Sequence, residues 1–142
     1  MRPLKQLIEG KPSTVTVGPD DTVFTALTLL AQFDIGALLV LERGKLVGIF
    51  SERDYARKIV LKGKASKDTP VREIMSEKVS CVTLAQTVEE CMALMTERHV
   101  RHLPVLGPDQ AVVGIISIGD LVKETISHQK FTIEQLVSYI QN

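Results

Sequence analysis

Gly48-Ile49-Phe50-Ser51-Glu52-Arg53-Asp54 is the stretch on which the fold turns, because Gly114-Ile115-Ile116-Ser117-Ile118-Gly119-Asp120 repeats it. In each, a glycine opens a short apolar strand. A serine follows where strand gives way to helix, and an aspartate stands three residues further on. The pattern sets one hydroxyl and one carboxylate over a helix N-terminus, where backbone N–H groups lack intrahelical partners. Such a cradle suits a sugar diol and a phosphate. Its duplication argues for a repeated ligand-binding unit rather than one active site.

The repetition extends outward in both directions. Residues 13–60 and 78–126 carry the same order of elements. Thr14-Val15-Thr16-Val17 alternates as a strand does, and Gly18-Pro19-Asp20-Asp21 reads as a turn. A helix is predicted from Thr22, with Val23, Ala26, Leu27, Leu30 and Phe33 on one face. Ala37-Leu38-Leu39-Val40-Leu41 is apolar throughout and reads as a fully buried strand. Arg43-Gly44-Lys45 turns the chain into Leu46-Val47-Gly48-Ile49-Phe50, and Ser51 starts a helix through about Val60. In the second copy Val82 stands for Val17, Leu103 for Leu38 and Val105 for Val40. Thr87 with Glu90 has the pattern of a capping box.

The chain divides on this reading into a lead-in (1–12), a first repeat (13–63), a linker (64–77), a second repeat (78–127) and a C-terminal helix (128–142). Leu4, Leu7 and Ile8 match Val71, Ile74 and Met75 in spacing, so a short apolar segment precedes each copy. Thr132 and Gln135 form a further capping pattern, ahead of an apolar stripe of Ile133, Leu136, Val137 and Ile140. A stripe on a terminal helix docks on its own domain or on a partner. The expected class is α+β: two β-α-β-β-α units, neither stable alone at this size, burying sheet against sheet about a pseudo-twofold axis.

Composition excludes several functions. The 142 residues are 44% hydrophobic, with 17 basic residues against 17 acidic ones. A neutral chain without a basic run lacks the electrostatic footprint of a nucleic-acid binder and a polybasic membrane patch. No apolar run is long enough for a transmembrane helix, and the N-terminus lacks a secretory signal core. Cys81 and Cys91 read as small buried hydrophobes in a reducing compartment, so a cytoplasmic location is expected.

Two β-α-β-β-α copies, each with Gly-hydrophobic-x-Ser-x-x-Asp, and Arg101-His102-Leu103-Pro104-Val105 in the second, resemble a tandem pair of cystathionine-β-synthase (CBS) domains, a Bateman module. The resemblance covers residues 3–127 and implies a regulatory module standing alone, without an attached enzyme, channel or transporter. It implies adenosine-containing ligands (AMP, ADP or ATP, and NAD as a further candidate) in clefts between the halves, a homodimer, and a regulated protein partner that the sequence does not name.

Within each cleft, Asp54 and Asp120 have the two oxygens that match a ribose diol. Ser51 and Ser117, with N–H groups at the helix start including Gly119, suit phosphate. Arg101 and His102 add charge to one cleft and Arg53 to the other. By resemblance the base lies against Val15 and Ser80 and near Ile35, Gly36 and Val100. Ala37 stands where the second copy has His102, and Gly36 where it has Arg101. The two clefts are therefore unequal, and the Ser117/Asp120 site is expected to hold phosphates better.

Plainer readings compete. Ser-x-x-Asp is also how a helix caps itself; for one copy alone capping is the stronger reading, and the duplication with its glycine moves the balance to binding. His99 and His102 lack a third metal ligand of matching character. Neither serine has a base placed to make it a nucleophile, so catalysis is not expected. The rival to a nucleotide sensor is a ligand-independent dimeric scaffold.

Overall fold

The computed structural model describes residues 2–11 and 14–141. Its elements in chain order are α1 (Leu4–Glu9), β1 (Thr16–Val17), α2 (Val23–Phe33), β2 (Ala37–Glu42), β3 (Lys45–Ser51) and α3 (Glu52–Tyr55). They continue with β4 (Val82–Thr83), α4 (Val88–Arg98), β5 (His102–Leu106), β6 (Val112–Ser117) and α5 (Ile118–Gln141). A π-helical turn over Ala56–Val60 follows α3, and a 3₁₀ turn covers Val71–Glu73.

The duplication is carried into three dimensions. Each half has a three-stranded sheet, β1-β2-β3 or β4-β5-β6, with one parallel and one antiparallel pairing. Val17 pairs with Val40 and Val82 with Val105. Even the register irregularity recurs, at Val40/Leu41 and at Val105/Leu106. Thr22 and Thr87 cap α2 and α4 by accepting the Thr25 and Glu90 backbone N–H groups. Glu90 completes only half of the expected box: its carboxylate accepts from the Thr87 hydroxyl at 3.1 Å. At the first hairpin Arg43 (φ 52) and Gly44 (φ 78) both take positive φ, as a tight two-residue turn requires.

The core differs from one shared interior. Val17, Val23, Ala26, Leu30, Leu38, Val40, Phe50 and Ile59 form one buried cluster with Val71 and Ile74. Val82, Val88, Cys91, Met95, Leu103, Val105, Ile116 and Leu121 form another with Leu4. Thus the residue that completes each cluster comes from the lead-in of the other repeat. Leu4 N–H donates to Gln86 O and Val88 N–H to Arg2 O; in the first half Val71 N–H donates to Asp21 O and Val23 N–H to Thr69 O. Ala37, Leu39 and Pro104 point away from their clusters along strands whose side chains alternate, yet they too are buried. Both faces of each central strand are covered, so the halves face each other across these residues.

The C-terminal expectation is corrected. Ile118 to Gln141 is one uninterrupted helix, and Thr132 does not start a new one. Its hydroxyl donates to His128 O four residues back, a bond available inside a helix. The apolar stripe is real but docks on nothing among the described residues: 128–141 are exposed throughout.

Candidate functional site

Ser51 and Ser117 both fall at the strand-to-helix junction, and both motifs close on themselves. Asp54 N–H donates to Ser51 Oγ at 3.2 Å, and Ser51 N–H donates to Asp54 Oδ2 at 3.0 Å. Asp120 N–H donates to Ser117 Oγ at 3.1 Å, and Ser117 N–H to Asp120 Oδ2 at 2.8 Å. The capping reading therefore holds in both copies, and what distinguishes them is the surroundings.

Around Asp120 the halves leave a cavity of about 880 Å³, a size typical of small-molecule sites. Val15, Ile35, Gly36 and Ala37 line it from the first half; His102, Ser117 and Asp120 line it from the second. Seven of the expected residues thus meet in one place. Gly36 faces His102 across it. A Cβ there would already come within 3.4 Å of His102 Nε2, so any longer side chain would project into the space.

Asp120 has a further partner that sequence reading missed. Lys11 donates from Nζ to Asp120 Oδ2 at 2.6 Å and to Ile115 O at 2.7 Å. Burial pushes the Asp120 carboxyl up, but the Lys11 ammonium and the Ser117 donors outweigh it and hold the group below its ordinary value. His102 goes the other way from a typical exposed histidine. Burial lowers its pKa, the Asp120 charge resists, and Lys11 and Arg101 add to the lowering, so the ring is neutral at neutral pH.

Around Asp54 the same motif is closed over. Its side chain is 12% exposed, against 29% for Asp120. Besides Ser51 it takes Ser76 Oγ at 3.3 Å and faces Lys58 Nζ at 3.3 Å. Lys58 also donates to Ile74 O. Met75 fills the space beside Gly48, where a Cβ would lie only 2.7 Å from its sulfur. Neither Ser51, Asp54 nor Arg53 lines the cavity.

The remaining expected residues are also outside it. Arg101 is exposed and contributes its carbonyl, which accepts from Ile118 N–H, as Gly36 O accepts from Glu52 N–H. That equivalence explains the separation of Arg101 from His102: consecutive residues entering a strand point to opposite sides. Ser80 precedes β4, Val100 packs beside the second cluster, and Gly119 lies exposed in the first turn of α5. His99 caps α4 in the left-handed conformation, as Asp34 caps α2. Among the described residues no group of three or more His, Cys, Asp or Glu side chains is placed to hold a metal. Lys11, Ile8, Thr14, Phe33 and Asp34, with Val113, Gly114 and Ile115 of β6, complete the lining. The signal for the lead-in residues was the matched spacing of Ile8 and Met75, which marks equivalent segments but not which half they cover.

Comparison with known proteins gives the same frame. The CBS domain family model matches residues 8–61 and 71–127. A CBS domain-containing protein of Arabidopsis thaliana, CBSX3, described as mitochondrial, is 41% identical over 127 residues, or 86% of this chain, which spans 61% of that relative's length. The solved structure of a CBS-domain protein from Burkholderia ambifaria is 48% identical, with a TM-score of 0.85 over 89% of this chain and 96% of the other. The CBS-domain pair of MJ0100, solved with 5′-methylthioadenosine and S-adenosyl-L-methionine, shares the fold at a TM-score of 0.79 and 23% identity, over 90% and 98% of the two chains.

Proposed function

The chain belongs to the CBS-domain family, and from that premise we propose that it is a regulatory module that binds an adenine nucleotide and relays energy or redox state to a protein partner. The observation that carries this reading is the cavity joining Asp120, Ser117 and the α5 N-terminus to the apolar wall of Val15 and Ile35. A carboxylate for the ribose diol, a helix start for phosphate and an apolar slot for the base are the three parts an adenosine ligand needs. The adenosyl compounds bound by the MJ0100 pair support that class, and the signal-transduction role suggested for the Burkholderia protein supports the regulatory part. AMP, ADP, ATP and NAD are the candidates.

The closed surroundings of Asp54 support one occupant per chain. The reading is also non-catalytic. Ser117 Oγ accepts from its own helix, and among the described residues no hydrogen bond joins it to His102. A cytoplasmic location remains part of this proposal; no helix among the described residues is long and apolar enough to cross a membrane.

Calorimetric titration of AMP, ATP and NAD into ligand-stripped protein tests the reading. We expect a stoichiometry near one per chain. Asp120→Asn should lower affinity by roughly 10- to 100-fold, the scale of a lost charge-assisted hydrogen bond, while Asp54→Asn leaves it within about twofold. No binding, or equal effects of the two substitutions, would refute it. A second reading, a dimeric scaffold, is favoured by the exposed apolar residues Phe131, Ile133, Leu136 and Ile140 on α5. It predicts a homodimer with no nucleotide-induced rise in Tm.

A further inference from the structure

Among the described residues Lys11 is the one lysine or arginine side chain on the cavity wall; the other titratable groups there are Asp34, His102 and Asp120. Its ammonium sits between Asp120 Oδ2 and Ile115 O, with both Lys11 and Asp120 side chains 29% exposed. A ribose diol seeking Asp120 competes for the carboxylate that Lys11 now holds. A partly buried ammonium that gives up a carboxylate is left under-compensated unless another anion replaces it. The four-carbon stem lets the ammonium swing without moving the backbone. Lys11 N–H is bonded to Ile8 O, which anchors that stem to the end of α1.

The charge count around it limits the replacement. Asp120 and Asp34 are both acidic, and His102 is a neutral ring, so among the described residues of the wall a single cation stands against two carboxylates, with the exposed Arg101 outside it. One phosphate can take over the Lys11 contact, with the α5 N-terminus as a secondary donor. A triphosphate would bring further negative charge toward Asp34 without a further basic side chain among the described residues of the wall to meet it. Resting on the nucleotide reading above, we propose that Lys11 is the anion-recognising residue of this cavity and selects adenosine 5′-monophosphate over both neutral adenosine and ATP.

Calorimetry with adenosine, AMP and magnesium-free ATP on the full chain, wild type and Lys11→Gln, tests this, with a melting curve to show each variant folded. Wild type should bind AMP more tightly than adenosine or ATP. Lys11→Gln should weaken AMP by roughly tenfold, the scale of one charge-assisted hydrogen bond, and leave adenosine within about threefold. Lys11→Arg should retain the AMP preference. If Lys11 only positions Asp120, adenosine and AMP weaken together and their ratio stays fixed, which overturns the proposal. ATP binding more tightly than AMP also overturns it. If wild type binds none of the three, the nucleotide reading itself fails, a result distinct from an unchanged ratio in a protein that binds.

Discussion

Gly48→Ala is the substitution whose cost the structure fixes most directly. A Cβ at that position would stand 2.7 Å from Met75 Sδ, 2.9 Å from Met75 Cγ and 3.0 Å from Ser76 O. Favourable carbon contacts lie at about 3.5–4.0 Å, so neighbours must move. The methionine can turn away because its side chain is flexible. Ser76 O cannot move so easily: it accepts from Ile49 N–H at 3.0 Å, and Ser76 N–H donates to Ile49 O at 2.9 Å. Overpacking costs about 1–3 kcal/mol, and replacing a strand glycine returns roughly 0.5–1 kcal/mol. The net expectation is a loss of about 1 kcal/mol, at most about 2.5 kcal/mol, or a fall in Tm of roughly 2–5 °C at this chain length. Gly114→Ala is the internal control. There the nearest atom is the terminal methyl of Ile8 at 3.1 Å, and the three nearest atoms all belong to the side chains of Ile8 and Thr14. It should cost less than about 0.5 kcal/mol. Urea unfolding of the two variants decides the matter. Equal losses, or a larger loss at Gly114, would refute the account of a lead-in clamped over the first half and loosely seated over the second.

Two further outcomes follow from the same geometry. His102 has a lowered folded-state pKa, so the unfolded chain takes up the proton first; its contribution to stability is present above about pH 6.5 and is lost as pH falls through the folded value. The urea midpoint should therefore drop between pH 7 and 5 less steeply in His102→Gln than in wild type, and parallel slopes would reject the assignment. Truncation after Ser127 removes only exposed helix from the folded body, so the unfolding free energy should stay within about 0.5 kcal/mol; a large destabilisation would mean that the segment packs where it is described as free.

Much of the architecture was legible because it is local and written twice. Hydrophobic spacing of 3.6 placed α2, a continuous apolar run placed β2, and Arg43-Gly44-Lys45 announced a hairpin turn; the Thr87/Glu90 pattern and the match to the first copy then placed α4 and β5. Ser51 and Ser117 fell at helix starts because their caps are sequence-local bonds. The second helix of the first copy was less legible: α3 is short and gives way to a π turn over Ala56–Val60, a change that no periodicity over five residues encodes. Half of the candidate site was also hidden. Which of two neighbours, Arg101 or His102, faces a cavity depends on strand orientation. Lys11 meets Asp120 across more than a hundred residues, and no spacing rule spans that distance.

The exchange of lead-ins has a physical origin and a functional consequence. A β-α-β-β-α unit of this size leaves one end of its apolar cluster uncovered. Leu4 and Val71, each with no exposed surface, close those ends from the opposite repeat, and each contributes about 1.5–3 kcal/mol by burial. Core closure requires an apolar residue at those two positions and says nothing about the residues that follow. After Val71 the segment delivers Met75 against Gly48 and Ser76 to Asp54, while Lys58 covers the same carboxylate. After Leu4 it delivers Ile8 and then Lys11, which leave room beside Gly114 and put a cation at the mouth of Asp120. Two equivalent motifs thus acquire different surroundings from the segments laid over them. Packing requires the apolar residue that closes each cluster, and the residues beyond each packing contact leave one crevice open and the other closed.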